Sequence, residues 1–185
     1  MASQSPRLQN LVASSPASLK ALQQSMRDER YEMLQYLVLE QGVIVWHIAP
    51  DSVTVHNVFL PRTQVIGKVA ALQKSLSDRN ARFDETTAKE LFLFLIQPVL
   101  SRIRSERLVI IPHEDLHYVP FQVLQDPADG RYLGERFQIT YAPSVSVLLG
   151  LKRSIGLSGG RLLAVADSSI AAAGPEVQAI AKLFP

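Results

Sequence analysis

Cysteine is absent from the 185 residues. That excludes disulfides, thiolate zinc ligands and a thiol nucleophile anywhere in this chain. Also missing is any apolar run approaching the roughly 18 residues of a membrane span. The nearest candidate, Leu91 to Leu100, contains Gln97 and Pro98 and reads as a buried helix. The opening Met1-Ala2-Ser3-Gln4-Ser5-Pro6 has neither the basic start nor the apolar core of a signal peptide. A cytoplasmic protein without membrane contact is therefore expected. No sign of charge dominates either, because 19 Lys and Arg stand against 17 Asp and Glu. A net charge of +2 is no footprint for nucleic acid. The densest basic group, Arg102, Arg104 and Arg107, reads as a solvated face complementing a helix C-terminus in preference to a phosphate site.

What is present is globular composition, 47% hydrophobic and 19% charged, enough for the core of one domain or of part of a larger one. Residues 1–15, rich in Ser, Gln and Asn, read as a flexible lead, and 16–185 as one structured portion. Pro16 suits a first helical turn, followed by Leu19, Leu22 and Met26 at helical spacing. Over 36–60 the pattern turns to β. Tyr36–Glu40, Val43–Ile48 and Val53–Phe59, separated by Gln41-Gly42 and Pro50-Asp51-Ser52, predict a small antiparallel meander with Trp46, Ile48, Val53 and Val55 on one face. Residues 61–105 predict two helices. The first spans Thr63–Leu76 and carries Val65, Val69, Leu72 and Leu76; the second, Thr87–Arg104, is kinked at Pro98. From 107 to 185, apolar runs at Leu108–Ile111, Arg136–Ala142 and Leu162–Ala166 read as strands, with helices at Pro143–Lys152 and Gly174–Phe184. Alternating strands and helices imply an α/β fold. The apolar ending Leu183-Phe184-Pro185, where one more strand is expected, reads as a cut.

One string suggests metal chemistry. His113-Glu114-Asp115-Leu116-His117 matches HExxH, which needs two imidazoles one helical turn apart and a glutamate base, with Glu135 as a conceivable third ligand. Pro112 and Pro120 leave little room for a stable helix, and Glu135 heads a strand-like run. A loop leaving a strand is the better reading, with Leu116, Tyr118, Phe121, Val123 and Leu124 turning into the core and no metal or cofactor bound. A zinc metallopeptidase is the remote alternative.

The stretch from Leu108 to Leu149 is similar to the opening signature of CHAT domains, the caspase-like domains associated with tetratricopeptide repeats. Leu116-His117, Pro120-Phe121, Tyr132-Leu133, Glu135 and Tyr141-Ala142-Pro143-Ser144 carry the match. The meander before it and the segments Arg161–Asp167 and Pro175–Phe184 after it resemble the family's neighbouring elements. The resemblance implies an incomplete caspase-like sheet flanked by helices and preceded by the meander. It also implies a catalytic histidine and cysteine on strands beyond this stretch, so no catalytic residue is assigned here. His117 belongs to the loop motif and is expected to bond to backbone in a packed loop. The leading expectation is the non-catalytic N-terminal portion of a CHAT-type cysteine endopeptidase. Its implied protein partners are the remaining C-terminal caspase-like half and a tetratricopeptide-repeat region, upstream or in a separate chain. The alternative is a shortened scaffold or interaction module, a pseudoenzyme.

Other polar residues have simpler readings. Ser144 and Ser146 lack a G-x-S-x-G elbow, and Ser144 suits a helix cap. Gly159-Gly160 reads as a turn, not a phosphate cradle. His47 and His56 share a meander face diagonally and are expected at the strand surface. Asp126, Asp129 and Gly130 read as turn formers.

Overall fold

A computed structural model describes residues 17–154 and 172–183. The chain divides into two compact units, 1–151 and 152–185. The predicted lead, Pro16, Gly159-Gly160 and the predicted strand Leu162–Ala166 lie outside the described residues.

The first unit opens with helix α1, Leu19–Glu29. Ser18 caps it by accepting the Ala21 N–H at 3.2 Å. At its end Arg30 turns left-handed, φ 56°, and returns its N–H to the Met26 carbonyl. Strands β1 (Glu32–Leu39), β2 (Gly42–Ile48) and β3 (Val53–Val58) form the expected meander, antiparallel throughout. Gly42 is needed in the first turn, since a Cβ there would lie 2.6 Å from the Val58 carbonyl oxygen. Helices α2 (Arg62–Ser77), α3 (Glu85–Leu95) and α4 (Gln97–Leu100) lead to β4, Arg107–Ile111. After two 3₁₀ turns, Glu114–Tyr118 and Phe121–Val123, come the short helix α5 (Leu133–Arg136), strand β5 (Gln138–Tyr141) and helix α6 (Val145–Ser154). In the second unit the described element is helix α7, Ala173–Leu183, with Pro175 in its first turn and Ala173, Val177 and Ile180 half-buried along one stripe.

The five strands form one mixed sheet in the order β3-β2-β1-β4-β5, with β1, β4 and β5 parallel to one another. The meander is thus the antiparallel wing of the same sheet, joined through β1, and the α/β class with a caspase-like, helix-flanked sheet holds. Both faces of the central strands are covered, which explains the unbroken apolar run of β4. On one face Leu34, Tyr36, Val38, Val43, Val45, Leu108 and Ile110 pack against Val65, Val69 and Leu72 of α2 and Leu91, Phe92 and Leu95 of α3. On the other, Met33, Ile48, Val109 and Ile111 meet Leu22 and Met26 of α1 and Leu148 of α6. Each of these large apolar side chains gains roughly 1.5–3 kcal/mol from burial, so the central strands anchor the unit.

Several expectations shift. Strand β1 begins at Glu32 instead of Tyr36, because a charged residue sits inside its buried run. Trp46, Ile48, Val53 and Val55 do share a face, through the pairs Trp46–Val55 and Ile48–Val53. Only the β2 pair is packed, however: Val53 and Val55 on edge strand β3 are exposed, and α2 and α3 cover the opposite face. Pro98 breaks the second helix where a kink was expected, the chain turning at Ile96 and the helix ending at Leu100. Proline has no N–H for the Phe94 carbonyl and crowds that turn. The Val99 N–H bonds the Ile96 carbonyl at 3.0 Å, leaving the Leu95 carbonyl to the Tyr36 hydroxyl, also at 3.0 Å. A side chain from the sheet thereby completes the break.

Candidate functional site

The residues singled out in the sequence converge on the loop that leaves the carboxyl end of β4. In parallel sheets this is the end where ligand sites form. His113 is in extended backbone, φ −134°, and Glu114 has φ 50°, so the HEDLH string is a 3₁₀ turn and not the α-helix that a zinc-peptidase motif needs. Strand β4 pairs with β1 only as far as Gln35. Beyond that point the Val38 amide donates to His113 Nδ1 at 3.2 Å. His113 is therefore an Nε2–H tautomer and extends the sheet edge by one bond. His117, expected to bond to backbone in a packed loop, and Tyr118, expected to turn into the core, are both exposed at the surface; their neighbour Leu116 is the buried one. Short 3₁₀ turns bring side chains three apart onto one side, and Leu116 takes the inward position.

Downstream residues stitch the loop shut. Phe121 is fully buried, its ring 5.3 Å from that of Tyr36 and 6.2 Å edge-on from that of Tyr141. The Tyr141 hydroxyl accepts the Phe121 N–H at 2.8 Å and donates to Gln122 Oε1 at 2.8 Å. Burial holds the Tyr141 phenol above its ordinary pKa although both hydrogen bonds act the other way. Pro120, half-buried, precedes this turn. Asp126, Asp129 and Gly130 form the expected turn: Gly130 takes φ 73° and gives its N–H to the Asp126 carbonyl at 2.8 Å. Arg136 bridges Asp126 and Asp129 at 2.6 and 2.7 Å. The Arg131 N–H, together with Arg136, holds the Asp129 carboxyl below the usual range. Glu135, expected at the start of a strand, is on α5, where its carboxylate accepts the Tyr132 N–H at 2.6 Å while its own N–H goes to the Tyr132 carbonyl. The matching side-chain cap returns to backbone within the turn, which is why a strand-like composition yields a helical turn first and strand from Gln138.

Pro143 and Ser144 begin α6, and Ser144 Oγ accepts the Val147 N–H at 3.2 Å, the expected cap. With Ser146, Gln35, Ile111 and His113 they line a cavity of about 410 Å³ over the ends of β1 and β4. Two of its polar groups are engaged, Ser144 Oγ in capping and His113 Nδ1 with the Val38 amide. What the arrangement does chemically is hold a loop and a helix start rigidly at the end of the sheet.

A polar pair at the opposite end of the sheet escaped the sequence reading. His47, expected at the strand surface, is 2% exposed and its Nε2 lies 2.6 Å from Glu32 Oε2. Glu32 Oε1 accepts the backbone N–H groups of Arg104 and Ser105 at 3.1 Å each. Burial raises the Glu32 pKa, but the His47 hydrogen bond, the two amides and the charge of His47 outweigh it, and the carboxyl lies below its ordinary value. The signal was present in strand parity: Glu32, Leu34, Tyr36 and Val38 alternate onto one face, and His47 pairs across from Leu34, diagonal to Glu32.

No curated protein matches the chain. The family model of the CHAT domain matches residues 85–185, which spans α3 through α7 and includes the whole loop just described. That match covers more than half of the chain and agrees with the order in which Leu116, Phe121, Tyr132, Glu135 and Tyr141 build the loop, so the chain belongs to the CHAT domain family.

Proposed function

We propose that this chain supplies the non-catalytic scaffold portion of a caspase-like CHAT cysteine peptidase, the catalytic histidine and cysteine being carried by strands outside it. The observation that carries this reading is chemical. A caspase-like mechanism requires a thiolate to attack the scissile carbonyl, and none of the 185 residues is a cysteine. Two further features support it. In the family loop at the carboxyl end of β4, His113 accepts the Val38 amide and Ser144 caps the helix that follows, and β5 is an edge among the described strands, where a further parallel strand would pair. In this reading the partner is the C-terminal caspase-like half. A tetratricopeptide-repeat region as a further partner and a cytoplasmic setting are part of the same proposal.

The test uses a thiol-directed peptidyl probe. The chain alone is expected to remain unlabelled. Co-expressed with a polypeptide bearing the His- and Cys-containing strands, it is expected to co-purify with that polypeptide and to raise probe labelling of its cysteine. Covalent labelling of this chain, or peptide hydrolysis by the chain alone, overturns the proposal. Labelling of the other polypeptide that is indifferent to this chain leaves the scaffold reading, a pseudoenzyme that binds without cleaving, in its place.

A further inference from the structure

The end of the sheet opposite the family loop holds a second cavity, of about 620 Å³, between the β2–β3 turn, α1 and the turn that follows α4. Its lining includes Glu32 and His47, joined by the 2.6 Å contact and both buried. The two carboxylate oxygens of Glu32 are already taken by the imidazole and by the amides of Arg104 and Ser105, so its charge is compensated from within. On the other side of the imidazole, His47 Nδ1 is buried with no hydrogen-bond partner. Thr54, which pairs with His47 across the β2–β3 ladder and also lines the cavity, has a buried Oγ1 in the same condition. Buried polar atoms left unpaired are costly, and two side by side at one cavity call for something polar to meet them.

The surrounding charge says what. Arg27, Arg102 and Arg104 line the same cavity. Arg27 is held in place by the Pro50 carbonyl at 2.5 Å and by Gln24 Oε1 at 3.3 Å. Arg102 and Arg104 are exposed, and their guanidinium groups have no partner among the described residues. The opposing carboxylate left over is Asp51, exposed on the turn. Solvated arginines alone would be unremarkable, but here they ring a floor of unsatisfied buried polar atoms.

We propose that this cavity binds a phosphate-bearing small molecule. Arg102 and Arg104 would offer forked donors to the oxyanion, Arg27 a fixed third cation, and Thr54 and His47 the inner polar atoms. A phosphate group suits this better than a carboxylate because it presents three oxygens and close to two negative charges to three cations. A polynucleotide is not favoured, since Asp28, Glu29 and Glu106 interleave the neighbouring Arg30 and Arg107 and the net charge is only +2.

Calorimetric titration of the full chain with inorganic phosphate, at matched ionic strength, tests the site. Saturable binding at one site is expected. The double variant Arg102→Ala/Arg104→Ala should weaken it by about tenfold or more, whereas Arg30→Ala/Arg107→Ala, equal in charge but outside this cavity, should stay within about twofold. Asp51→Asn should tighten it. Arg102→Ala alone serves if the double variant fails to fold. The proposal is overturned by the absence of saturable binding, by equal loss in both double variants, or by succinate binding as tightly as phosphate.

Discussion

Replacing Tyr36 with Phe removes one oxygen atom from the middle of the larger core. The ring is 2% exposed and stacks at 5.3 Å on Phe121, so its packing survives the change. What is lost is the bond from the hydroxyl to the Leu95 carbonyl at 3.0 Å, at the break that Pro98 imposes. Leu95 itself is fully buried and the Val99 N–H is already spent on Ile96, so no other donor is at hand for that carbonyl. An unsatisfied buried carbonyl costs about 1–3 kcal/mol, and Tyr36→Phe should lower the stability measured by urea denaturation by that amount. The cause can be isolated with a second substitution. In Pro98→Ala, residue 98 regains an N–H for the Phe94 carbonyl and the helix can continue, letting the Val99 N–H reach Leu95. In that background the cost of Tyr36→Phe should fall below about 0.5 kcal/mol. Equal costs in the two backgrounds, within about 0.3 kcal/mol, would refute the idea that the hydroxyl serves the carbonyl orphaned by the break.

Further outcomes follow from the same contacts. Glu32 has a folded pKa below its ordinary 4.5, so its contribution is present above that value and is lost as pH falls through the folded pKa; urea midpoints between pH 3 and 7 should lose this acid-limb slope in Glu32→Gln. Burial raises the Tyr36 pKa well above 10, with the Tyr141 charge acting in the same direction, so its stabilisation is intact below pH 10 and lost as pH rises through the folded pKa; the fall of urea-denaturation stability above pH 10 should be shallower in Tyr36→Phe, from a lower starting value. Gly42→Ala forces a Cβ against the Val58 carbonyl and should cost about 1–3 kcal/mol by thermal unfolding. Arg136→Ala leaves Asp126, 3% exposed, without its cation and should cost roughly 1–3 kcal/mol, whereas Asp129→Ala, at the exposed end of the same bridge, should cost under about 1 kcal/mol.

The parts of this fold that were legible in the sequence are those in which one physical term dominates. The apolar run Leu108–Ile111 fits a strand covered on both faces, and of the helical stripe Val65, Val69, Leu72 and Leu76 the first three are buried while Leu76, in the last turn, is exposed. Ser144 as a cap and Asp126, Asp129 and Gly130 as a turn were legible because short polar side chains there bond to their own backbone. Where two terms compete, periodicity was misleading. His47 reads as strand surface yet lies inside, since Glu32, itself held by two amides, replaces the water it loses. Arg136 reads as the start of a strand yet ends a helical turn, because the reciprocal bonds between Tyr132 and Glu135 outweigh local propensity. His117 reads as the histidine bonded to backbone in a packed loop, yet His113 makes that bond, a distinction set by where β4 stops pairing with β1.

These failures have a common direction, and it bears on what the family motif is for. Of the residues that carry the match, Leu116 and Phe121 fill the core, Tyr141 ties the second 3₁₀ turn to β5, Glu135 closes α5 and Ser144 caps α6. Tyr141, Glu135 and Ser144 each accept a backbone N–H, Tyr141 donating also to the Gln122 side chain, whereas His117 is exposed. A catalytic motif behaves otherwise, leaving an imidazole, carboxylate or hydroxyl aimed at open volume with its geometry held by a neighbour. On the proposed scaffold reading, Tyr141, Glu135 and Ser144 serve as positioning residues for the loop between β4 and β5, and so for the register of any further parallel strand against β5. Placement of a nucleophile on such a strand would then depend on Tyr141 and Phe121 without either touching a substrate, and substitutions there should disturb assembly before they disturb chemistry.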